Sequence, residues 1–394
     1  MRSKKKIGIL TYWETKDNYG QLLQHWALQQ YLRNQGCNPY LVRYMRSAQK
    51  VPNCSWKKRI KNGIKKTILY ALYFLGLLNN DKIRKWVGNI CALDGVRRRF
   101  NMFRHRHMTL SNKIYHSYEQ LKSNPPKADV YMTGSDQVWN YQYLSNDDLE
   151  AYLLHFGLPD TKRMSYAASV GTDIMPSEIK TFFKLRLKDF NAISVRETTA
   201  LSLCEEMGYS AQLVLDPTML LKADDYKKLI SNIHCKNHVF IYSLNYSSCD
   251  NLPYDEIVAY AKSLHSSIVV TPGSGYMPAK ELFENVKYIY STPGEWISTI
   301  ANAKLTITAS FHGIVFCILF HCPFVYTPLK GEYAKGNVRI LGLLKILGLE
   351  DRIWNPNVSN CTALHDEIDW DAVDEKVNYY RNISQEYLLN NLSL

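Results

Sequence analysis

Nowhere in the 394 residues do eighteen apolar residues run together, so no membrane-spanning helix is expected. Neither GxGxxG nor GxxxxGK[ST] occurs, which removes the dinucleotide fingerprint and the P-loop. The nine cysteines include no CxxC pair and are odd in number, against a disulfide framework or a zinc site and in favour of reduced cytosolic thiols. There is no Pro/Gly/Ser-rich linker, low-complexity tract or short repeat, and the apolar stretch after MRSKKK is too short for a signal peptide. Acidic residues are scarce at one end only. The first 110 residues hold 4 Asp/Glu against 23 Lys/Arg, a net +19, while the remainder carries −7. An anionic partner is expected on the basic side.

What is present is an alternation of short apolar runs and helical periods. Lys6 to Thr11 reads as a buried strand, Gln21 to Asn34 as a helix, and Pro39 to Tyr44 as the next strand. Such a βαβ unit implies a parallel sheet with sites at the strand carboxyl ends. Residues 50 to 110 break the rhythm: lysines and arginines from 57 to 66 precede the apolar run 68 to 78, which reads as a helical insertion. This stretch suits an interfacial helix on anionic lipid or, equally, a core helix with a solvated basic flank. Strands then resume at Val130 to Thr133, Arg163 to Val170, Ala192 to Val195 and Gln212 to Leu215. A second set follows at Val239 to Ser243, Ser267 to Thr271, Val286 to Tyr290, Leu305 to Thr308 and Pro323 to Tyr326. The expected fold class is α/β with two Rossmann-like domains, GT-B-like, at 1–225 and 226–394, with the site in the cleft between them.

Several polar groups fall at predicted strand ends. Ser310-Phe311-His312-Gly313 opens a helix; Gly313 lets backbone approach a ligand, and His312 suits a general acid or base or, as readily, a helix cap. Gly134-Ser135-Asp136-Gln137-Val138-Trp139-Asn140 offers Ser135, Asp136 and Gln137 to sugar hydroxyls and Trp139 to a sugar face; the competing reading is a turn with Asp136 as cap. Arg196 offers a forked donor to carboxylate or phosphate, or a salt bridge to a nearby acid. Asn18-Tyr19-Gly20 is a strand-to-helix turn that either brings N–H groups to a phosphate or simply reverses the chain. No metal-ligand cluster is visible.

Five segments together resemble the polysaccharide pyruvyltransferase family, in family order over roughly residues 7 to 345. They are Asn18-Tyr19-Gly20-Gln21-Leu22-Leu23-Gln24, the 134–140 segment, Ser194-Val195-Arg196-Glu197, Leu215-Asp216-Pro217-Thr218 and the 310–313 segment. The resemblance implies phosphoenolpyruvate as donor substrate, no cofactor, and a pyruvate ketal bridging two hydroxyls of one sugar as product. It implies His312 as the catalytic histidine; from its residue chemistry, Asp136 is expected to orient or deprotonate an acceptor hydroxyl. It places Arg196 on the donor anion, with Ser310 and Gly313 beside it. Asn18, Tyr19, Gly20, Ser135, Gln137 and Trp139 fall on the acceptor side. Some family members have arginine where this chain has Ser310, and Lys330, Lys335 or Arg339 are the candidates to replace it.

The implied partners are phosphoenolpyruvate and a glycan acceptor, with a polyprenyl-diphosphate-linked glycan favoured by the basic first part. A cytoplasmic enzyme resting on the inner face of an anionic membrane, with no nucleic-acid partner, follows from that reading. Two rivals stay open: a nucleotide-sugar glycosyltransferase of the same fold, and a non-catalytic basic binding protein.

Overall fold

The structure, a computed structural model, describes residues 4–15, 18–46, 98–230, 236–246, 248–273, 282–358 and 360–394. The basic stretch 57–66 and the apolar run 68–78 lie outside the described residues.

The first half runs β1 (Lys6–Leu10), α1 (Tyr19–Asn34), β2 (Asn38–Tyr44), α2 (Phe100–His107), β3 (Leu110–Tyr115), α3 (Tyr118–Ser123), β4 (Val130–Thr133), α4 (Asn146–Tyr152) and β5 (Lys162–Ser165). Then come α5 (Ser177–Leu187), β6 (Ser194–Val195), α6 (Thr198–Glu206), β7 (Gln212–Leu213), a 3-10 turn at Pro217–Leu220 and α7 (Ala223–Lys227). The second half runs β8 (His238–Ser243), α8 (Tyr254–Ser263), β9 (Ser267–Pro272), β10 (Lys287–Tyr288), α9 (Pro293–Ala301), β11 (Ala303–Thr308), α10 (Phe311–Leu319), β12 (Phe324–Tyr326), α11 (Asn337–Leu347) and α12 (Trp370–Leu392).

Two five-stranded sheets result, ordered β3-β2-β1-β4-β5 and β10-β9-β8-β11-β12, and every pairing in them is parallel. Strand runs such as IGIL and HVFIYS are buried along almost their whole length because helices cover both faces of a parallel sheet. In each sheet the strand order reverses direction once, between β1 and β4 and between β8 and β11. At such a reversal the loops leaving the strand ends run in opposite directions, which is where ligands bind in open α/β sheets. The fold is therefore α/β with two doubly wound sheets in a GT-B-like pairing.

Helix α1 sits on the seam between the sheets. Tyr19, fully buried, stacks flat on Trp296 of α9 with ring centroids 5.1 Å apart, and its hydroxyl donates to the Ser291 carbonyl oxygen at 2.5 Å. Helix α12 ties the two halves together a second time. It starts beside the second sheet, where Trp370 stacks on His321, and ends on the first, where Tyr387 Oη donates to Ser165 O at 2.9 Å and Ser384 Oγ accepts from Leu215 N at 2.9 Å.

Two strands differ from their sequence expectation. Arg163 to Val170 is cut to β5 because Ala167 takes φ +55°, which breaks the extended backbone; Ala168 keeps only single bridges to Asp136 and Val195. β3 falls at the end of the expected helical insertion: LSNKIY buries only Ser111 and Tyr115 at the sheet edge.

Candidate active site

Four strand ends deliver the cluster. Asp136 follows β4 and takes φ +86°, a left-handed backbone unusual for a carboxylate residue, so the turn is held by its contacts rather than by local preference. Its Oδ1 accepts from Gln137 N at 2.8 Å and its Oδ2 from Gln21 Nε2 at 2.6 Å. Gln21 stands in the first turn of α1, whose N-cap is Asn18, with Oδ1 accepting from Gln21 N at 3.1 Å. Arg339, on α11 of the second half, brings Nη1 to 3.9 Å from Asp136 Oδ1.

Arg196 ends β6. Its Nη1 lies 2.6 Å from Asp216 Oδ2 and also donates to Ser135 Oγ at 3.2 Å, while Ser135 Oγ donates to Asp216 Oδ2 at 3.0 Å. Asp216 caps the 3-10 turn, its Oδ1 accepting from Thr218 N and Oγ1 at 3.0 and 2.7 Å. His312, from the first turn of α10, places Nε2 3.5 Å from the same Asp216 Oδ2. Phe311 supports the guanidinium of Arg196, which lies 4.6 Å from the ring centroid. The His312 ring is pressed on Gly20: a Cβ built at Gly20 falls 2.1 Å from His312 Nδ1, so only glycine fits.

The electrostatics follow from this crowding. Burial alone would raise the Asp136 carboxyl, but Arg196, Arg339 and His312 outweigh it and hold it below the usual range. Asp216 is treated the same way, with His312 and then Arg196 overcoming its burial. Arg339 is lowered by burial and by Arg196, whereas Arg196 is raised because its acids outweigh its burial. Arg196 Nε and Nη2 and Arg339 Nε are buried and have no partner in the protein, and neither has Glu197 Oε2. Glu197 Oε1 accepts from Ser169 Oγ, Val170 N and Gly171 N at 2.9, 2.8 and 3.1 Å, which fixes the loop facing Gln137 and Asn140. The site thus holds unspent donors of two arginines beside a histidine and two ionised carboxylates. Such a set is chemically able to bind an oxyanion and to move a proton. Among the described residues no three His, Cys, Asp or Glu side chains gather into a metal-binding group.

The structure gathers His312, Asp136, Arg196, Arg339, Ser135 and Gly20 of the sequence candidates. Ser310 spends its hydroxyl as N-cap of α10, accepting from Gly313 N at 3.2 Å, and Gly313 packs against Thr308. Gln137 accepts from Asn140 Nδ2 at 2.7 Å. Lys330 is exposed and no ion pair or hydrogen bond joins it to the cluster, while Lys335 Nζ crosses the seam to Gln142 Oε1 at 3.3 Å. Two acceptor-side expectations are corrected. Trp139 is 1% exposed, packs edge-on against Phe183 and Phe190 and donates Nε1 to Tyr152 O, so it has no face for a sugar. Tyr19 is likewise core, spent on Trp296 and Ser291. Asp216 and Gln21 lie inside segments that carried the family resemblance, yet nothing in their spacing distinguishes them from ordinary caps.

The chain is similar in structure to MurG of Acinetobacter baumannii, with 10% identity over 99% of this chain and 100% of that one and a TM-score of 0.43. It is also similar to the UDP-GlcNAc 2-epimerase of Methanocaldococcus jannaschii, with 10% identity, 95% and 93% covered and a TM-score of 0.45. A third similar structure is an alpha-glucosyltransferase in complex with UDP and a 13-mer DNA, with 9% identity, 98% and 95% covered and a TM-score of 0.46. No curated protein matches the chain. The family model described as polysaccharide pyruvyl transferase matches residues 18–328, from the cap of α1 to just past β12, and so takes in Asp136, Arg196, Asp216 and His312. The chain belongs to the polysaccharide pyruvyl transferase family.

Proposed function

We propose that the protein transfers pyruvate from phosphoenolpyruvate to two hydroxyls of one sugar, forming a ketal. The observation that carries this reading is the convergence of Arg196, Arg339 and His312 on Asp136 and Asp216 at the seam of the two sheets. The unpartnered Nε and Nη2 of Arg196 and Nε of Arg339 suit the donor's carboxylate and phosphate. Arg339 takes over the cationic role that Ser310, used as a helix cap, does not fill.

The chemistry then runs as follows. His312 gives a proton to the methylene carbon of the donor, and a sugar hydroxyl forms a C–O bond to the neighbouring carbon as it becomes electrophilic. The hydroxyl's proton passes to His312. The C–O bond to phosphate breaks, the second hydroxyl closes the ring, and its proton leaves with the phosphate. Asp216 orients His312 and Arg196, and Asp136 orients the acceptor hydroxyl. Arg196, Asp216, Phe311 and α11 line a cavity of ≈ 20 Å³, little more than one water needs.

The test is thermal shift with phosphoenolpyruvate beside UDP, GDP and CMP, on wild type and Arg339→Met. A native-state ligand raises the melting temperature once it exceeds its dissociation constant. A shift with phosphoenolpyruvate alone, lost in Arg339→Met, is expected. A shift with a nucleotide alone would replace the reading with nucleotide-sugar transfer. For the acceptor, the +19 of the first 110 residues supports a diphosphate-linked lipid carrier and peripheral contact with an anionic membrane. Among the described residues no helix is long and apolar enough to cross a membrane. Flotation with liposomes lacking or containing anionic lipid tests this; equal binding to both would overturn it.

A further inference from the structure

A second cavity of ≈ 230 Å³ lies behind the Pro217–Leu220 turn, between α7, the end of α10 and α12, and shares no lining residue with the cluster above. Its volume is far above the ~10–15 Å³ that one water needs and suits a single sugar ring. Ile318 and Val377 supply apolar lining. The remaining groups are polar and of both signs: Lys222, and Asp374, Asn378 and Arg381 on the same face of α12 as Val377.

Each of these has capacity left. Arg381 is 7% exposed; Nε donates to Met219 O at 2.7 Å and Nη1 to Asn378 Oδ1, which leaves Nη2 for another acceptor. Asp374 gives Oδ1 to His321 Nε2 at 3.1 Å and keeps Oδ2. Asp224, also at the rim, is already paired with Lys227 at 2.6 Å, and Arg381 lies in the field of Asp374 and Asp225, which leaves Lys222 and the open Nη2 of Arg381 as donors for an anion. An apolar strip for ring C–H groups, a carboxylate and an amide for hydroxyls, and two cations for one negative group describe a single kind of ligand.

We propose that this cavity binds a pyranose bearing one anionic substituent, a uronate or a sugar phosphate, at a site separate from the transfer chemistry. That the sugar belongs to a glycan chain rests on the pyruvyltransferase reading; the chemistry of the cavity does not. Occupancy reaches the cluster by a short route. Arg381 holds the Met219 carbonyl of the 3-10 turn, and the residue capping that turn is Asp216, which fixes Arg196.

The experiment is ligand-observed saturation-transfer NMR on the full chain with glucuronate, glucose 6-phosphate and glucose, and with inorganic phosphate added as a competitor whose binding is read from loss of the sugar signals. The variants are Asp374→Ala and Asn378→Trp, both at positions where the side chain reaches solvent; Arg381 is left intact because it supports the turn. Wild type is expected to bind one or both anionic sugars, and glucose at least tenfold more weakly. Both variants are expected to lose at least tenfold while keeping the phosphoenolpyruvate thermal shift. Glucuronate alone or glucose 6-phosphate alone identifies the substituent. No binding of either anionic sugar to wild type, or undiminished binding in both variants, would overturn the proposal. Inorganic phosphate binding as well as the sugars would reduce the site to an anion pocket and overturn it too. Sugar binding that follows the variants while phosphoenolpyruvate gives no shift would sink the pyruvyltransferase reading and leave this one standing.

Discussion

The pair Arg196–Asp216 gives the sharpest test of how the site is built. Both side chains are almost fully buried, 2% and 0% exposed, with Nη1 and Oδ2 2.6 Å apart. Unit charges ~4 Å apart interact by ~4 kcal/mol at an effective dielectric of ~20. Breaking such a pair from one side typically costs ~3–5 kcal/mol, since the partner is left buried and uncompensated. Arg196→Met and Asp216→Asn should therefore each lower unfolding stability by about 3–5 kcal/mol, and the double variant should lose several kcal/mol less than their sum. Urea unfolding followed by tryptophan fluorescence reads all four corners of the cycle. The acid limb adds a sign. Asp216 is held below its ordinary range, so its stabilisation is fully present above ~pH 4 and is lost as pH falls further; the gap between wild type and Asp216→Asn should close there. Losses additive to within ~0.5 kcal/mol, or a gap unchanged by acid, would refute the pairing as described.

Four further outcomes are expected. His312→Gln should cut turnover by ~10²–10⁴-fold while phosphoenolpyruvate still shifts the melting temperature, because it removes the proton carrier and leaves both arginines. Gly20→Ala should cost turnover nearly as much with helix content unchanged by circular dichroism, since the new Cβ displaces the His312 ring. His25 is buried, and burial with the charge of Arg104 lowers it to about 3, so stability is lost as pH falls from ~6.5 towards that value. Between pH 7 and 5 that loss is ~2 kcal/mol, and His25→Phe should remove it in paired urea titrations. Trp139→Ala should cost ~3–5 kcal/mol of stability without changing acceptor KM, the outcome of a core residue rather than a sugar platform.

The sheets were legible because parallel strands buried on both faces leave continuous apolar runs, and β1, β4, β8 and β9 do so over most of their length. β3 left no such run, since this edge strand buries only Ser111 and Tyr115, and the true end of β5 depends on one backbone angle at Ala167 that no residue type announces. At the site, His312 and Arg196 were legible as polar groups at strand ends. Trp139 was misread because an aromatic beside polar turn residues looks alike whether it points to solvent or to Phe183 and Phe190. Asp216 and Gln21 were illegible because their meaning is pairwise. A carboxylate 20 positions from Arg196 and 96 from His312 becomes the link between them only once two separate sheets are brought face to face.

That dependence on both halves explains why the cluster is charged and buried at once. Buried ion pairs are a poor way to gain stability, since apolar replacements often serve as well. Here the contacts cross the seam: His312 of the second half meets Asp216 of the first, Arg339 meets Asp136, and Phe311 carries the guanidinium of Arg196. Desolvation and pairing therefore both depend on the two halves meeting. On the proposed reading, the donor's anionic groups meet the unpartnered nitrogens of Arg196 and Arg339, and His312, brought to Asp216 only by the meeting of the two halves, would stand beside them away from bulk water.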